Sequence, residues 1–477
     1  MKTGEEYTNS LRNRRMEVYY LGERVEEPVE HAAFCPHIRA AAATYDMAFH
    51  PDWSDLGSAV SHLTGERINR FTHIHQSTGE LVKKVKALRA LGRYTGTCFQ
   101  RCVGWDALNA LYITTYDMDQ KLGTSYHTRL VEFLKYVQRE DLMSDGAMTD
   151  PKGDRSLPPH KQADPDLYLR VVERRPDGIV VRGAKAHQTG SVNSHEVIAM
   201  PTTSMGPQDA DWAVAFAIPA DAPGVVHIFG RQTNDTRRLE GGTDCGNTQF
   251  GIVGGEALIV FDDVFVPWER VFMCGEHEFA GQLVETFASF HRQNYGGCKA
   301  GVADVMVGAA AVTAEYQGTA SAAHVRDKLT EMMQLAETLY CGSIACSSEG
   351  ARTPSGACFV DPLLANSTKL NVTRFMYEIS RLAQDIAGGF IATLPSEKDL
   401  RHPKVGKYVA KYFSGVAGIP VEDRFRVARL LENMTGGTAM VEAMHGAGSP
   451  QAQKIMIYRQ GKLESKKKAA LRLAGIE

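Results

Sequence analysis

The chain has 477 residues, 43% of them hydrophobic and 23% charged, a balance typical of a globular protein with a large core and not of a disordered chain. A formal net charge of −3 gives no general attraction to nucleic acid, which we exclude as a partner. The first fifteen residues lack the apolar segment of a secretory signal, and no apolar run reaches the roughly 18 residues that span a bilayer. We therefore expect a cytoplasmic protein that makes no membrane contact.

The hydrophobic period changes twice along the chain. Residues 1–145 are mostly helical in pattern, and the helical period returns from residue 276. Between them, a turn at Pro176-Asp177-Gly178 predicts a hairpin, and short apolar runs at residues 212–218, 224–229 and 257–265 predict further strands. The sequence thus predicts an α+β protein with three domains, which are a helical domain (1–145), a β-barrel-like domain (146–275) and a helical bundle (276–477).

Cys98 and Cys102 lie four residues apart, just before a helix-compatible run that starts at Trp105. On a helix this spacing places both thiols on one face, where they could share a metal site. Two small core residues would show the same spacing, so both interpretations stay open. Because thiols stay reduced in the cytoplasm, nine cysteines favour metal binding or chemistry over a disulfide framework.

Residues 291–299 (HRQNYGGCK) place a histidine and a cysteine on one short segment. Gly296-Gly297 predicts local flexibility. By itself the segment proves little, because in most proteins such a pair is a packed histidine and an inert buried thiol.

Several other segments are typical of ligand contacts. Residues 148–155 (MTDPKGDR) form a linker or binding loop, and residues 183–195 form either a loop for a planar polar ligand or a surface turn. Glu256 enters a strand and faces solvent or a cleft. A helix ends at Gly388-Gly389, which permits a close approach of a ligand or a neighbouring subunit, or simply caps the helix.

Four segments together carry a resemblance to a known family: residues 98–102 (CFQRC), 186–195 (AHQTGSVNSH), 291–299 (HRQNYGGCK) and 444–453 (MHGAGSPQAQ). The chain resembles the 4-hydroxybutyryl-CoA dehydratase/vinylacetyl-CoA Δ-isomerase family essentially from end to end. That family is similar to the flavin-dependent 4-hydroxyphenylacetate 3-monooxygenases and implies an acyl-CoA dehydrogenase-like fold. Two departures are a shorter segment at residues 400–421 and the lack of a Gly-Tyr-Arg stretch before Glu442.

The resemblance implies FAD and a [4Fe-4S] cluster as cofactors and an acyl-CoA as substrate. The implied cluster ligands are Cys98, Cys102, His291 and Cys298. The implied catalytic residues are His291, Glu442, Glu256, Tyr295, Lys299, Gln100 and Thr189. FAD contacts are expected from Thr149, Lys152, Arg155, His187, Gln188 and Thr189 and, across a subunit boundary, from Gln384, Gly388 and Gly389. Such a shared site implies a homo-oligomer, and the family implies a homotetramer.

The implied activity is dehydration of 4-hydroxybutyryl-CoA to crotonyl-CoA by a flavin radical mechanism with the cluster as Lewis acid, together with isomerisation of vinylacetyl-CoA. A reduced-flavin-dependent phenol monooxygenase is a competing interpretation, because the same fold would allow it. The sequence is also compatible with a relative acting on a different acyl-CoA, with a CoA-ester dehydrogenase, and with a scaffold whose thiols bind zinc structurally.

Overall fold

The computed structural model describes residues 1–12, 14–233, 235–240, 242–247, 249–251 and 255–476. The helices in this part of the chain are α1 Gly4–Leu11, α2 Cys35–Asp46, α3 Ser54–Gly57, α4 Thr78–Thr95, α5 Cys102–Leu122, α6 Tyr126–Arg139, α7 Asp235–Glu240, α8 His277–Gln317, α9 Ala323–Ser348, α10 Pro362–Ala387, α11 Phe390–Thr393, α12 Glu397–Arg401, α13 Gly406–Tyr412, α14 Val421–Thr435, α15 Gly437–His445, α16 Pro450–Gln460 and α17 Leu463–Leu473. The strands are β1 Glu17–Tyr20, β2 Glu23–Arg24, β3 Ser58–Val60, β4 Arg67–Asn69, β5 Ser144–Ala147, β6 Arg170–Arg174, β7 Gly178–Thr189, β8 Glu196–Ala199, β9 Val214–Pro219, β10 Val225–Phe229, β11 Glu256–Pro267, β12 Val271–Cys274, β13 Ala351–Arg352 and β14 Cys358–Phe359.

Two sheets form the middle of the protein. The larger has the strand order β2-β1-β10-β11-β7-β6, and the smaller has the order β12-β9-β8-β5. Phe216 of the smaller sheet packs against Phe261 of the larger, with ring centroids 5.8 Å apart and both side chains fully buried. The predicted hairpin is confirmed, since β6 and β7 pair in antiparallel fashion, and β9, β10 and β11 confirm the three further strands.

The N-terminal region is mostly helical, as its periodicity predicts, but it also contributes strands. Strand β1 pairs in parallel with β10 and extends the larger sheet. The reason is a local period of two, in which Val18 and Tyr20 are buried while Glu17 and Tyr19 are half-buried.

Residues 183–189 belong to β7 and do not form the loop that their polar composition predicted. They pair with β11, which matches Lys185 with Ile259 and Thr189 with Glu256. The pairing has two register shifts, one with an extra residue in β7 between Lys185 and Gln188 and one with an extra residue in β11 between Phe261 and Val264. The pairing gives these polar residues backbone partners and sets Thr189 beside Glu256.

The C-terminal bundle is built around α8, a continuous helix of 41 residues. Gly296 and Gly297 lie inside it, so the flexibility predicted for them is wrong. A Cβ on Gly296 would lie 2.4 Å from the carbonyl oxygen of Leu339 in α9, and one on Gly297 would lie 2.8 Å from that of Val85 in α4. Both glycines therefore serve close helix packing.

Helix α8 is also long and apolar enough to span a membrane by length and composition, the one such helix among the described residues. Within its apolar stretch, 56% of the residues are buried inside the protein, as in the core helix of a globular protein.

Candidate active site

Cys98 and Cys102 do not share a helical face. Helix α4 ends at Gly96 with a left-handed φ of 65°, and Gln100 also has a positive φ of 64°. Helix α5 begins only at Cys102, so Cys98 lies in the connection before it. The helix expected over both cysteines is therefore wrong, because two left-handed residues turn the chain between α4 and α5.

The two thiols nevertheless lie in the same buried region as Cys298 of α8. Burial raises the pKa of all three thiols. After burial, the carboxylate of Glu442 raises the pKa of Cys98 most, and Cys98 raises that of Cys102. Cys298 raises the pKa of both Cys98 and Cys102, so the three thiols lie near one another. Cys298 reaches a pKa of about 11. Three free thiols drawn from a loop and two helices thus converge on one place.

His291 is held by a buried carboxylate. Its Nδ1 lies 2.8 Å from Oδ2 of Asp106, which also accepts a 2.5 Å hydrogen bond from the amide of Asn294. The other oxygen of Asp106 accepts one from Nζ of Lys84, also at 2.5 Å, and both partners of this ion pair are fully buried. With Nδ1 protonated and directed at Asp106, the lone pair of His291 is on Nε2, which is then available as a ligand or a base.

Cys98, Cys102, Cys298 and His291 provide donor types that iron–sulfur clusters use. Among the described residues, no three His, Cys, Asp or Glu side chains are grouped so as to hold one ion. A tetrahedral zinc site would need such a group. In a [4Fe-4S] cluster each protein ligand binds a different iron, so the ligands are spread around the cluster. Three thiols from a loop and two helices, with one imidazole whose Nε2 is free, meet that requirement once cluster binding removes the thiol protons.

Glu442 of α15 connects α15 to α8. Its Oε1 accepts a 2.9 Å hydrogen bond from the hydroxyl of Tyr295, and its Oε2 forms an ion pair with Nζ of Lys299, one helical turn further along α8. Although burial acts to raise it, Lys299 and Tyr295 hold the pKa of Glu442 below its usual value. Glu442 is therefore a carboxylate at neutral pH.

Glu256 differs from Glu442 in its protonation state. Burial, and after it the negative charge of Glu442, raise the pKa of Glu256 to about 8. The hydrogen bonds to its carboxyl group are long: Thr189 Oγ1 lies 3.5 Å from Oε1, and the amide of Gln232 lies 3.4 Å from Oε2. Two carboxyl groups in one site with pKa values driven apart provide one proton donor and one proton acceptor.

Gln100 presents a buried hydrogen-bond donor. Its Oε1 accepts from the amide of Asn193, while its Nε2 has no partner among the residues that the structure describes. A buried amide hydrogen without an acceptor is costly. A ligand carbonyl placed beside Gln100 would satisfy it.

The residues expected to contact FAD fall into two sets. In the first, the carbonyl of Thr149 accepts from the backbone of Ala186 at 2.7 Å and from the side chain of Gln188 at 3.1 Å. Burial lowers the pKa of His187, and the positive charge of Lys152 lowers it further, so these two side chains lie near each other. Arg155 is exposed in the same loop.

The second set is at the exposed end of α10. Gln384 donates to the carbonyl oxygen and the hydroxyl of Thr435 at 3.2 and 3.1 Å. A Cβ on Gly388 or Gly389 would meet nothing within 4 Å, so the backbone is open to an approaching molecule. Among the described residues, no hydrogen bond joins this set to the first.

Asp106 and Lys84 were missed by the sequence analysis. Both lie within apolar helical stretches, and both are fully buried. A charged residue on the apolar face of a helix, four positions after Cys102, was the signal that could have found Asp106.

A helical N-terminal region, two sheets and a helical bundle around buried thiols and carboxyl groups form a recognisable class of enzyme. The chain belongs to the 4-hydroxyphenylacetate 3-hydroxylase family, whose N-terminal model matches residues 3–273 and whose C-terminal model matches residues 280–475.

Within that class, the chain is 54% identical over 491 residues to the 4-hydroxybutyryl-CoA dehydratase/vinylacetyl-CoA-Δ-isomerase of Clostridium aminobutyricum, with all of both chains covered. It is also similar to the structure of an oxygen-tolerant archaeal 4-hydroxybutyryl-CoA dehydratase from N. maritimus, with 53% identity and a TM-score of 0.97 over 100% of this chain and 95% of that one. The resemblance read from the sequence motifs is thus confirmed.

The monooxygenases are more distant. The oxygenase component of 4-hydroxyphenylacetate 3-monooxygenase from Thermus thermophilus is 27% identical over 438 residues, which cover 91% of this chain and 88% of the relative. A solved structure of such a component with FAD and 4-hydroxyphenylacetate has 24% identity and a TM-score of 0.86 over 99% of each chain. With the archaeal dehydratase, this likeness confirms the expected acyl-CoA dehydrogenase-like fold class.

Proposed function

We propose that this protein is a lyase and isomerase that dehydrates 4-hydroxybutyryl-CoA to crotonyl-CoA and converts vinylacetyl-CoA to the same product. The observation that carries the proposal is the position of the Cys98 and Cys298 thiols near Lys299 and Glu442, in a chain 54% identical to a dehydratase of that name over its whole length. Hydroxylation of a phenol by reduced flavin has no use for these thiols, and the monooxygenase relatives are only 27% identical or less.

The reaction needs more than acid and base. The thioester acidifies the C2 proton of the substrate, but the hydroxyl is on C4 and the C3 proton is not activated. When bound, FAD would supply reversible one-electron chemistry, and a [4Fe-4S] cluster would supply a Lewis-acidic iron for the hydroxyl. Cys98, Cys102, Cys298 and His291 would hold the cluster.

The flavin would be held by two subunits. Thr149, Lys152, Arg155 and residues 187–189 would bind it from one chain, and Gln384, Gly388 and Gly389 from a neighbour. The open backbone at the end of α10 supports that division. It implies a homo-oligomer, and we propose a cytoplasmic homotetramer whose subunits have domains of residues 1–145, 146–275 and 276–477.

The chain's own groups would move the protons. Glu442, ionised at neutral pH, would act as a base, and Glu256, protonated below a pKa of about 8, as an acid. Lys299 and Tyr295 would fix the carboxylate of Glu442. The unpaired amide of Gln100 would donate to the thioester carbonyl, and Thr189 would orient Glu256.

His291 has one free nitrogen for two proposed tasks. Nδ1 is engaged by Asp106, so Nε2 must serve both as cluster ligand and as base for a substrate proton. The two tasks cannot be performed at the same moment. Asp106 keeps the same nitrogen available for both.

An anaerobic assay that follows crotonyl-CoA formation from 4-hydroxybutyryl-CoA tests the proposal. We expect turnover by the wild type, together with bound flavin, iron and acid-labile sulfide, and loss of turnover, iron and sulfide in Cys298→Ala. Cys341→Ala is the matched control, because Cys341 is exposed. An inactive wild type that contains flavin and iron would contradict the substrate assignment, and full iron content in Cys298→Ala would contradict the ligand assignment.

A further inference from the structure

Lys369 of α10 is fully buried beneath α15. Its Nζ donates to the backbone carbonyls of Ala443 at 2.9 Å and Met444 at 3.1 Å. The same atom lies 4.4 Å from the centroid of the Tyr295 ring. One amino group therefore contacts the last turn of α15 and a residue that holds Glu442.

A buried lysine normally pairs with an acid. The acid nearby is Glu442, but Tyr295 and Lys299 already engage its two oxygens. Lys369 instead donates to carbonyls in the last turn of a helix, which have no partner within the helix. Its hydrogen bonds thus hold the backbone of the two residues that follow Glu442.

A second basic side chain, that of Arg292, holds the backbone just after α15. Nε of Arg292 donates to the carbonyl of Ala447 at 3.0 Å, and Nη1 donates to Asn366 of α10 at 2.6 Å. Between these points, a Cβ on Gly446 would lie 1.8 Å from the hydroxyl oxygen of Tyr295. The turn at residues 443–448 is therefore fixed against Tyr295, with α8 and α10 both holding its backbone.

We propose that Lys369 is a positioning residue that fixes the last turn of α15 and so sets the carboxylate of Glu442 against Tyr295 and Lys299. The effect on turnover rests on the proposed function, because it requires Glu442 to act in the reaction. The effect on the backbone of residues 443–448 does not.

The test compares Lys369→Met, which keeps length and apolar volume but removes the donors, with Lys369→Arg, which keeps a cation. We expect Lys369→Met to lower kcat by about 10- to 100-fold, as for a misplaced reacting group, with little change in KM. Flavin and iron content should match the wild type, and Lys369→Arg should recover part of kcat. Arg381→Met is the control, because Arg381 lies on the same helix but is exposed and forms a surface ion pair with Glu378.

Hydrogen exchange of the backbone provides a readout independent of activity. In Lys369→Met, exchange should accelerate in residues 443–448, where the amide of Gly446 donates to the carbonyl of Glu442, and not in α4 or α8. Wild-type kcat in Lys369→Met, or a loss of kcat that only follows a loss of cofactor, would overturn the inference. If the wild type does not turn over 4-hydroxybutyryl-CoA, the proposed function fails, while unchanged exchange at residues 443–448 in Lys369→Met still overturns the positioning role.

Discussion

Asp106 and His291 lie on different helices and meet at 2.8 Å, Oδ2 to Nδ1. Asp106 follows Cys102 by one turn of α5, so the helix that supplies a thiol also orients the imidazole. A carboxylate behind a ligating histidine fixes both its ring orientation and its tautomer. Asp106 thereby connects two proposed cluster ligands, Cys102 of α5 and His291 of α8.

Asp106→Asn tests this coupling. The variant removes the charge that pairs with Lys84 and leaves a buried ammonium without its counterion, so we expect a loss of stability of about 3–5 kcal/mol. Iron affinity should fall by about 10- to 100-fold, the usual effect of removing the partner of a ligating histidine. Denaturant unfolding and iron content measured against chelator concentration provide the two readouts.

Asp117→Asn is the control for that experiment, since Asp117 also lies on α5 and accepts a 2.6 Å hydrogen bond from Gln282 of α8. We expect it to keep its iron. Equal iron affinity in Asp106→Asn and wild type would show that Asp106 does not support His291 as a ligand.

Glu442→Gln should abolish most of the turnover. The variant keeps the shape of the side chain and an acceptor for Tyr295, but it removes the base and leaves Lys299 unpaired. We expect kcat to fall by about 10²- to 10⁴-fold, the contribution of a positioned general base. Glu378→Gln, on the surface pair with Arg381, should be unchanged. Steady-state kinetics on protein with measured flavin content gives this kcat. A loss of less than tenfold would show that Glu442 is not the base of the reaction.

Glu256 should make stability depend on pH. Its pKa is about 8 in the folded protein, above the ordinary value of 4.5, so the folded state keeps a proton that the unfolded chain releases. The stabilisation is complete below about pH 4.5 and is lost as the pH rises through about 8. Glu256→Gln removes this dependence.

Melting curves from about pH 5 to about pH 9 therefore should show the wild type losing stability relative to Glu256→Gln as the pH rises. If Glu256 acts as an acid, kcat of the wild type should also fall above about pH 8. Parallel stability curves for the two proteins would mean that Glu256 titrates normally in the folded state.

Gly296→Ala should destabilise the bundle. The added methyl group would lie 2.1 Å from the hydroxyl of Ser343 and 2.4 Å from a backbone carbonyl of α9, so α8 and α9 must separate. We expect a loss of about 1–3 kcal/mol, as for overpacking in a core. Gly308→Ala on the same helix meets nothing within 4 Å and should instead gain up to about 1 kcal/mol from helix propensity. Urea unfolding of both variants measures the change in the free energy of unfolding, and equal changes would refute the packing role of Gly296.

The order of helix and sheet was predictable because period and turn residues are local properties. The hairpin at Asp177-Gly178 and strands β9 to β11 show two-residue periods or short apolar runs between turn residues. Residues 183–189 were misread because their strand depends on pairing with β11, a partner some 70 positions away. Polar composition alone cannot report such a partner.

The site was predictable in residue types but not in geometry. The motifs identified Cys98, Cys102, His291 and Cys298, yet the connection through Gln100 and the glycines packed within α8 depend on tertiary contacts. Lys84, Asp106 and Lys369 have no motif, because their importance comes from full burial in the folded protein.

Helix α8 carries His291, Tyr295, Cys298 and Lys299 without interruption. These positions are spaced by four, three and one, so they form one stripe along the helix, and the rise of about 5.4 Å per turn sets the distances between them. Inserting one residue between Tyr295 and Cys298 would rotate the two halves of the stripe by about 100° relative to each other. The length of this stretch is therefore as strictly determined as the identity of its side chains.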